Sequence, residues 1–553
     1  MCDRRWRDHG AGRLGPVRKD SNMELTRKDF LRGSAAIAAI GGLTAAVPGA
    51  ASAAATVTGA GLGPQPRFPI TGLPVLNPIL RLYPEKSVFR SGDIRFGVGE
   101  LEMMIPFLGT GEIVWSVNVS EAKRYRIALC YSTVNETQPV TISVNGQDVP
   151  FAAPRTKGYF IPHPEGPVDD PGDPDTDGFW RMREYYLFER KPVAGEVDLV
   201  RGVNVVKLKV TAPKGKEAFR LRSIELTPVD KVAEIEADLT RQRANRANTD
   251  WFANAGYGMW FHFLDLTTPR VGPRKSYEDA VNALDVPKLA KMVDDCGARY
   301  LIWTVNHGNP TCPAPIKAWE RLHPGMTTKR DLIMELADEL AKYNIELMLY
   351  QNCPGTGGLI QQHQRAIDTP TFSEVEYANQ LIDVFNEFGA RYGTKVKGWW
   401  LDSWFQTMES YPNLPNEAIN RAIKSGNRNC MSSFNGWAFP NEVECQDYWC
   451  GEITDLPAKP FGARYLKDGP AAGLQAHSAI KLDAPWFHVT ENMEMEPPLY
   501  SARELADYIA ICQRDQAPVT LGVGIYQDGT IGPKSYAVLT ELRGLIRKGK
   551  ARR

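Results

Sequence analysis

Val396-Lys397-Gly398-Trp399-Trp400-Leu401-Asp402-Ser403-Trp404 is an apolar, aromatic run that ends in one carboxylate and resumes with another tryptophan. A charge in such company is costly unless something compensates it. A carboxylate held there is more often chemical than structural. The helical pattern from Phe372 to Arg391 comes directly before the run. A helix followed by a strand with a polar end is the order of a repeating β/α fold, which gathers its functional residues at the C-terminal ends of the strands.

The same alternation extends in both directions. Strand-like runs are predicted at Tyr257–His262, Tyr300–Val305, Ile345–Tyr350, Val396–Leu401, Asn429–Ser433, Asp447–Cys450, Pro485–Val489 and Val519–Ile525. Helical patterns at Lys231–Asn245, Val286–Cys296, Arg330–Tyr343, Phe372–Arg391, Ser501–Arg514 and Ser535–Arg547 lie before, between and after them. Eight strand candidates in this order predict a (β/α)8, TIM-like barrel over residues 229–553.

Residues 85–228 read differently. Tyr125–Tyr131, Val140–Val144, Val205–Val210 and Leu221–Leu226 are short alternating segments, and Asn145-Gly146 is a hairpin turn signal. This pattern predicts a β-sandwich, with 164–177 as a long loop. Val144-Asn145-Gly146, the stretch Leu199 to Val206 and the closing Ile224-Glu225-Leu226 resemble the jelly-roll carbohydrate-binding modules found beside glycosidases. A sugar-binding role and a purely structural one are equally open for this region, since fold does not fix function.

The expected organisation is multidomain: an export signal at 1–53, a Gly/Pro/Thr-rich linker at 54–84, the sandwich and the barrel. Thr26-Arg27-Lys28-Asp29-Phe30-Leu31-Arg32, the apolar stretch Gly33–Val47 and Ala51-Ser52-Ala53 have the charged, apolar and small-residue order of a secretory signal. The signal resembles the twin-arginine type, with Lys28 in place of the second arginine. The expected location is secreted, periplasmic or at the cell surface, with no membrane association after cleavage. Sixty-five basic and 65 acidic residues balance, which argues against a nucleic-acid partner. Nine cysteines show no CxxC spacing, and no motif demands a metal or other cofactor. Cys445 and Cys450 are the closest pair for a disulfide, but connectivity is not readable from sequence.

A barrel brings the polar residues at its strand ends into one ring. Those residues are His262; Asn306 and His307; Gln351 and Asn352; Asp402; Asn435; Glu452; and Thr490 and Glu491. Aromatic faces such as those of Trp400 and Trp404 stack on the apolar faces of sugars, although large cores use them too.

Tyr257-Gly258-Met259-Trp260-Phe261-His262-Phe263, Leu289 to Tyr300, Thr328-Lys329-Arg330-Asp331-Leu332-Ile333, Gly398-Trp399-Trp400-Leu401-Asp402-Ser403 and Leu521 to Ile531 together resemble family 29 glycoside hydrolases, the α-L-fucosidases. The resemblance covers roughly 250–545. It implies retaining double displacement on an oligosaccharide, polysaccharide or glycoside. Asp402 is then the nucleophile and Glu452 the acid/base, with Glu442, Glu444 and Glu491 as further candidates for the second role. Read as residues alone, Glu442 and Glu444 look like a solvated loop pair. His262, His307, Asn306, Asn352, Trp400, Trp404 and Glu491 are the expected substrate-binding residues.

The family usually has Lys-His-His-Asp-Gly-Phe after its second strand, where this chain has Thr304-Val305-Asn306-His307-Gly308-Asn309. Changed donors change which sugar fits. A retaining glycosidase for another sugar, or a catalytically inactive sugar-binding protein, are the alternative readings.

Overall fold

The computed structural model describes residues 61–70, 78–94, 105–133, 135–156, 188–215, 218–353, 373–436, 439–454, 456, 461–467, 471–483 and 486–551. All of them fall in the compact unit Ala38–Arg553. The expected signal at 1–53 and the long loop at 164–177 lie outside the described residues.

The N-terminal region is an antiparallel, nine-stranded sheet. Its strands are β1 (Leu80–Leu82), β2 (Phe89–Ile94), β3 (Ile105–Val119), β4 (Lys123–Ser132), β5 (Thr137–Val144), β6 (Gln147–Pro154), β7 (Glu189–Leu199), β8 (Gly202–Val210) and β9 (Phe219–Pro228). Their order is β6-β5-β8-β3-β9-β4-β7, with β1 beside β9 and β2 beside β3. Alternate residues of these strands feed one apolar core. Four strands separate β4 from β6 in this order, yet the Tyr131 hydroxyl donates to Pro154 O at 2.8 Å and its ring meets Phe151 edge-on. The sheet therefore folds over its own core. Asn145 and Gly146 both have positive φ, which suits the tight turn joining β5 to β6.

The C-terminal region carries a second sheet of eight parallel strands. These are β10 (Tyr257–Phe261), β11 (Tyr300–Asn306), β12 (Glu346–Asn352), β13 (Val396–Asp402), β14 (Met431–Phe434), β15 (Glu452–Thr454), β16 (Ser478–Lys481) and β17 (Val519–Val523). The order is β14-β13-β12-β11-β10-β17-β16-β15. Successive side chains point to opposite faces, so one strand can serve two cores. Met259, Leu301, Trp303 and Leu349 join the outer core with the helices. Trp260, Ile302, Met348, Trp400, Met431, Tyr448 and Ala479 form an inner one.

Helices α1 (Val232–Ala244) and α2 (Asp250–Ala253) precede the sheet. Helices α3 (Tyr277–Ala283), α4 (Val286–Asp295), α5 (Lys317–Leu322), α6 (Leu332–Ala341), α7 (Glu374–Tyr392), α8 (Trp404–Ser410), α9 (Asn416–Ile423), α10 (Ala502–Arg514) and α11 (Pro533–Ala551) follow in turn. Capping boxes start α7 (Ser373 with Glu376) and α10 (Ser501 with Glu504). The Arg330-Asp331 pair is a structural joint. Asp331 caps α6 by accepting from Met334 N at 3.0 Å, and Arg330 donates to the carbonyls of Val281 and Leu284.

Two strands differ from expectation. The sixth is Glu452–Thr454, so Glu452 opens the strand instead of following it. The preceding segment Asp447–Cys450 seams the two ends of the sheet together. Asp447 N donates to Ser432 O at 2.8 Å, its Oδ2 accepts from Ser432 N at 2.7 Å, and its Oδ1 meets Lys424 Nζ at 2.9 Å. The seventh is Ser478–Lys481, not Pro485–Val489. Large aromatic neighbours fill the inner core there, so small residues suffice on the strand itself. Trp486 lies instead across Gly522, where a Cβ would come within 2.4 Å of the indole.

The stretch expected as a linker is partly built into the fold. Strand β1 pairs with β9, while Leu62 N and Gly63 N donate to the carbonyls of Lys424 and Ser425 beyond α9. Strand β9 is buried on both faces. Leu221, Ile224 and Leu226 enter the N-terminal core, whereas Arg222 pairs with Glu409 of the C-terminal region. The eight cysteines among the described residues are buried and free, Cys445 and Cys450 included.

Candidate active site

Parallel pairing puts Asn352 level with Asp402 at the C-terminal ends of β12 and β13. Ser403 then turns the chain into α8 with left-handed backbone, φ 55° and ψ 29°. A residue with a Cβ is strained there. The sharp turn leaves the Asp402 carboxylate partly buried at the strand end.

Two groups hold that carboxylate. The Tyr350 hydroxyl donates to Oδ2 at 2.6 Å, and Asn435 Nδ2 donates to Oδ1 at 2.8 Å. Asn435 Nδ2 also donates to Glu452 Oε2 at 2.7 Å. One nitrogen thus touches both carboxylates, so their nearest oxygens can be no more than about 5.5 Å apart. Retaining glycosidases need their carboxyl groups about 5–5.5 Å apart, and inverting ones about 6.5–9.5 Å.

Behind Tyr350 stands His307, whose Nδ1 lies 2.7 Å from the hydroxyl. The phenol proton is committed to Asp402, so His307 Nδ1 must carry the proton it gives to Tyr350, and Nε2 is then an acceptor. Burial and the Asp402 charge both push the Tyr350 hydroxyl well above the usual phenol range, which keeps it a donor. Burial lowers His307, against the pull of Asp402. Burial, helped by neighbouring His307, holds His262 well below the usual imidazole range. Both rings are neutral near pH 7 and can each donate and accept.

An aromatic wall flanks these groups. The Trp260 ring lies tilted against its neighbours, 4.6 Å from both Trp400 and His262 and 5.0 Å from Trp486. His262 lies 5.4 Å from His307, and Phe487 is near both. Asn306 reaches Asn352 O through Nδ2 at 3.3 Å. His262 Nδ1, Asn306 Oδ1 and Trp400 Nε1 are buried and find no partner among the described residues.

Most of the expected site residues therefore meet. Asp402, Glu452, His262, His307, Asn306, Asn352 and Trp400 gather at or just beneath one end of the sheet. Trp404 does not join them: it opens α8 and packs on Phe434 in the outer core. Glu491 is exposed, and no hydrogen bond among the described residues joins it to Asp402 or Glu452. The seventh strand ends at Lys481, so Glu491 falls ten residues beyond it. Glu442 and Glu444 are not solvated. Glu442 pairs with Arg81 at 3.0 Å, and Glu444 with Arg243 at 3.2 Å and Arg246 at 3.4 Å. Tyr350 went unrecognised because a tyrosine within an apolar strand reads as core. Asn435 was visible as a strand-end residue, but not as the bridge.

Paired carboxylates with neutral donors and an aromatic wall are the equipment of a glycoside hydrolase. Residues 277–544 match the model of the family described as Alpha-L-fucosidase. That segment is an α-L-fucosidase-family domain, from a family of glycoside hydrolases. Among solved structures, α-L-fucosidase isoenzyme 1 from Paenibacillus thiaminolyticus is similar at 19% identity over 56% of this chain and 77% of its own, with a TM-score of 0.44. The Lactobacillus casei α-L-fucosidase AlfC in complex with α-L-fucose is similar at 17% over 55% and 100%, with a TM-score of 0.40. A family 29 α-L-fucosidase from Bacteroides thetaiotaomicron gives 15%, 55% and 74%, with a TM-score of 0.40. No curated protein matches the chain in sequence.

Proposed function

We propose that this protein is an exported, exo-acting retaining glycosidase of α-L-fucosidase type. In this reading the C-terminal sheet is a (β/α)8 barrel and the N-terminal sheet a jelly-roll-like sandwich. The observation that carries the mechanism is the single Asn435 amide spanning Asp402 and Glu452. Asp402 attacks the anomeric carbon while the bond to the leaving oxygen breaks, and Glu452 gives that oxygen its proton. Water then attacks the same carbon, gives its proton to Glu452 and releases Asp402. Tyr350 and Asn435 hold the nucleophile for in-line approach. His262 Nδ1, Asn306 Oδ1 and His307 Nε2 are the atoms available to sugar hydroxyls.

A retaining glycosidase for a different sugar is favoured by one observation. His307 spends Nδ1 on Tyr350, and Asn306 stands beside it where the family usually has a histidine. An inactive sugar-binding protein would leave Asp402 without a paired acid, and Glu452 on the same amide speaks against that. Among the described residues no helix is long and apolar enough to cross a membrane. Export rests on the N-terminal sequence alone.

A panel of nitrophenyl glycosides tests the reading with wild type, Asp402→Ala and Glu452→Ala. The expected result is turnover of the α-L-fucoside or one related sugar, lost by several orders of magnitude in Asp402→Ala. Near-normal turnover in that variant would remove Asp402 from the role.

A further inference from the structure

Arg222 belongs to the N-terminal sheet, yet two of its neighbours, Glu409 and Phe439, belong to the C-terminal region. Its side chain is 1% exposed and pairs through Nη1 with Glu409, whose side chain is 0% exposed. Its guanidinium lies 4.3 Å from the Phe439 ring centroid and 4.7 Å from that of Tyr83. Glu409 is on α8, the helix entered directly from Asp402 through Ser403. Phe439 lies on the segment between Asn435, which touches both carboxylates, and Glu452. Phe439 also packs on Phe405 of α8 at 5.5 Å and on Phe188 of the N-terminal region at 5.0 Å. The two chain segments that carry the reacting pair therefore meet at one aromatic contact, and Arg222 sits against that contact.

A second tie repeats the arrangement. Arg81, on β1, bridges Glu225 at 3.1 Å and Glu442 at 3.0 Å, and Arg190 completes Glu225 at 2.7 Å. Glu442 lies three residues beyond Phe439 on the same segment. Buried charges of this kind are tolerated only while each keeps its partner, so they fix the register of whatever carries them. A sheet that served only as a tethered sugar-binding module would have no need of buried arginines aimed at α8 and at the 439–444 segment.

We propose that Arg222 is a positioning residue for the hydrolytic site, acting through Glu409 and Phe439 to hold Asp402 and Glu452 at their working separation. The inference rests on the reading of Asp402 and Glu452 as the reacting pair. It gives the N-terminal sheet a part in turnover that does not depend on that sheet binding sugar.

The test uses the full chain with Arg222→Lys, Arg222→Met and the double variant Arg222→Met/Glu409→Gln, which leaves neither charge buried alone. Two readouts are taken: kcat and KM on the best aryl glycoside of the panel, and hydrogen–deuterium exchange of peptides covering 404–410 and 439–452. The expected result is a fall in kcat of about 10–100-fold with little change in KM, because misplacement by about 1 Å costs that much without removing a sugar contact. Exchange should quicken in those two segments, and Arg222→Lys should recover part of both effects by keeping the pair with Glu409. If Arg222→Met does not fold, the double variant is read in its place. A folded double variant with wild-type kcat and wild-type exchange in both segments would overturn the proposal. Faster exchange there, in a protein whose wild type turns over no glycoside on the panel, would keep the brace and reject the glycosidase reading instead.

Discussion

The Tyr350 hydroxyl donates to Asp402 Oδ2 at 2.6 Å, and it has a single proton to give. That bond orders the row behind it, because His307 must then donate to the phenol oxygen. Tyr350→Phe removes one oxygen and no bulk. We expect kcat to fall about 10–100-fold with the fold intact, since a donor is lost at the nucleophile. Unchanged turnover in a steady-state assay would reduce Tyr350 to a spacer between His307 and Asp402.

Glu452 is to give a proton in the first step and take one in the second. Glu452→Ala should harm substrates with basic leaving groups most and spare those with acidic phenols. Azide should restore the second step, which then needs no general base, and should yield a glycosyl azide of retained configuration. Equal losses across leaving groups, without rescue, would move the role to another carboxylate.

Ser403 holds a left-handed conformation that costs a residue with a Cβ about 1 kcal/mol or more. Ser403→Gly should therefore be neutral or stabilising by up to about 1 kcal/mol, while Ser403→Val should be clearly destabilising. Urea unfolding midpoints read both. A glycine variant less stable than wild type would mean that the weak contact from Asn352 Nδ2 to Ser403 Oγ, 3.4 Å, outweighs the strain.

His477 is buried between the carbonyls of Trp449 and Cys450 and the Thr520 hydroxyl, and burial pushes its pKa down to about 4. Between pH 6.5 and 4 the unfolded chain binds a proton there that the folded chain refuses. Stability is present above the unfolded value and is lost as pH falls through that window, by about 3 kcal/mol in all. His477→Gln should flatten this part of the stability curve. Parallel curves for the two proteins would show that the ring titrates normally.

Lys424 and Asp447 form an ion pair with side chains 2% and 0% exposed, at the seam between the ends of the sheet. Asp447→Asn should cost about 3–5 kcal/mol, because it strands the ammonium in the interior. A loss under 1 kcal/mol in denaturant melts would show that water reaches Lys424.

Strand β13 was legible because Trp399, Trp400 and Leu401 form an apolar run too short and too aromatic for a helix, closed by a charge. The capped helices were legible from their period. Strand β16 was not: Ser478, Ala479, Ile480 and Lys481 carry little hydrophobic signal, since Trp260, Trp400 and Tyr448 supply the bulk that the inner core requires. The nearby Pro-Trp-Phe run suggested a strand because two aromatics imply burial, but Trp486 and Phe487 face the histidines of the site. The bridge through Asn435 joins residues 33 and 17 positions away, a distance over which sequence pattern carries no geometry. Glu442 and Glu444 looked solvated because their arginine partners lie about 200 residues or more upstream.

The eight buried thiols make the fold its own recorder of opening. None is tied in a disulfide, and burial raises all of them, to about 12 for Cys130 and for Cys512, so an alkylating reagent finds no thiolate while the chain stays closed. Cys130 lies on β4 of the first half, and the other seven lie in the second. The order in which reagent reaches them tells which half gives way first. If the arginines of β1 and β9 lock the halves together, Cys130 and its seven counterparts will become reactive in a single step.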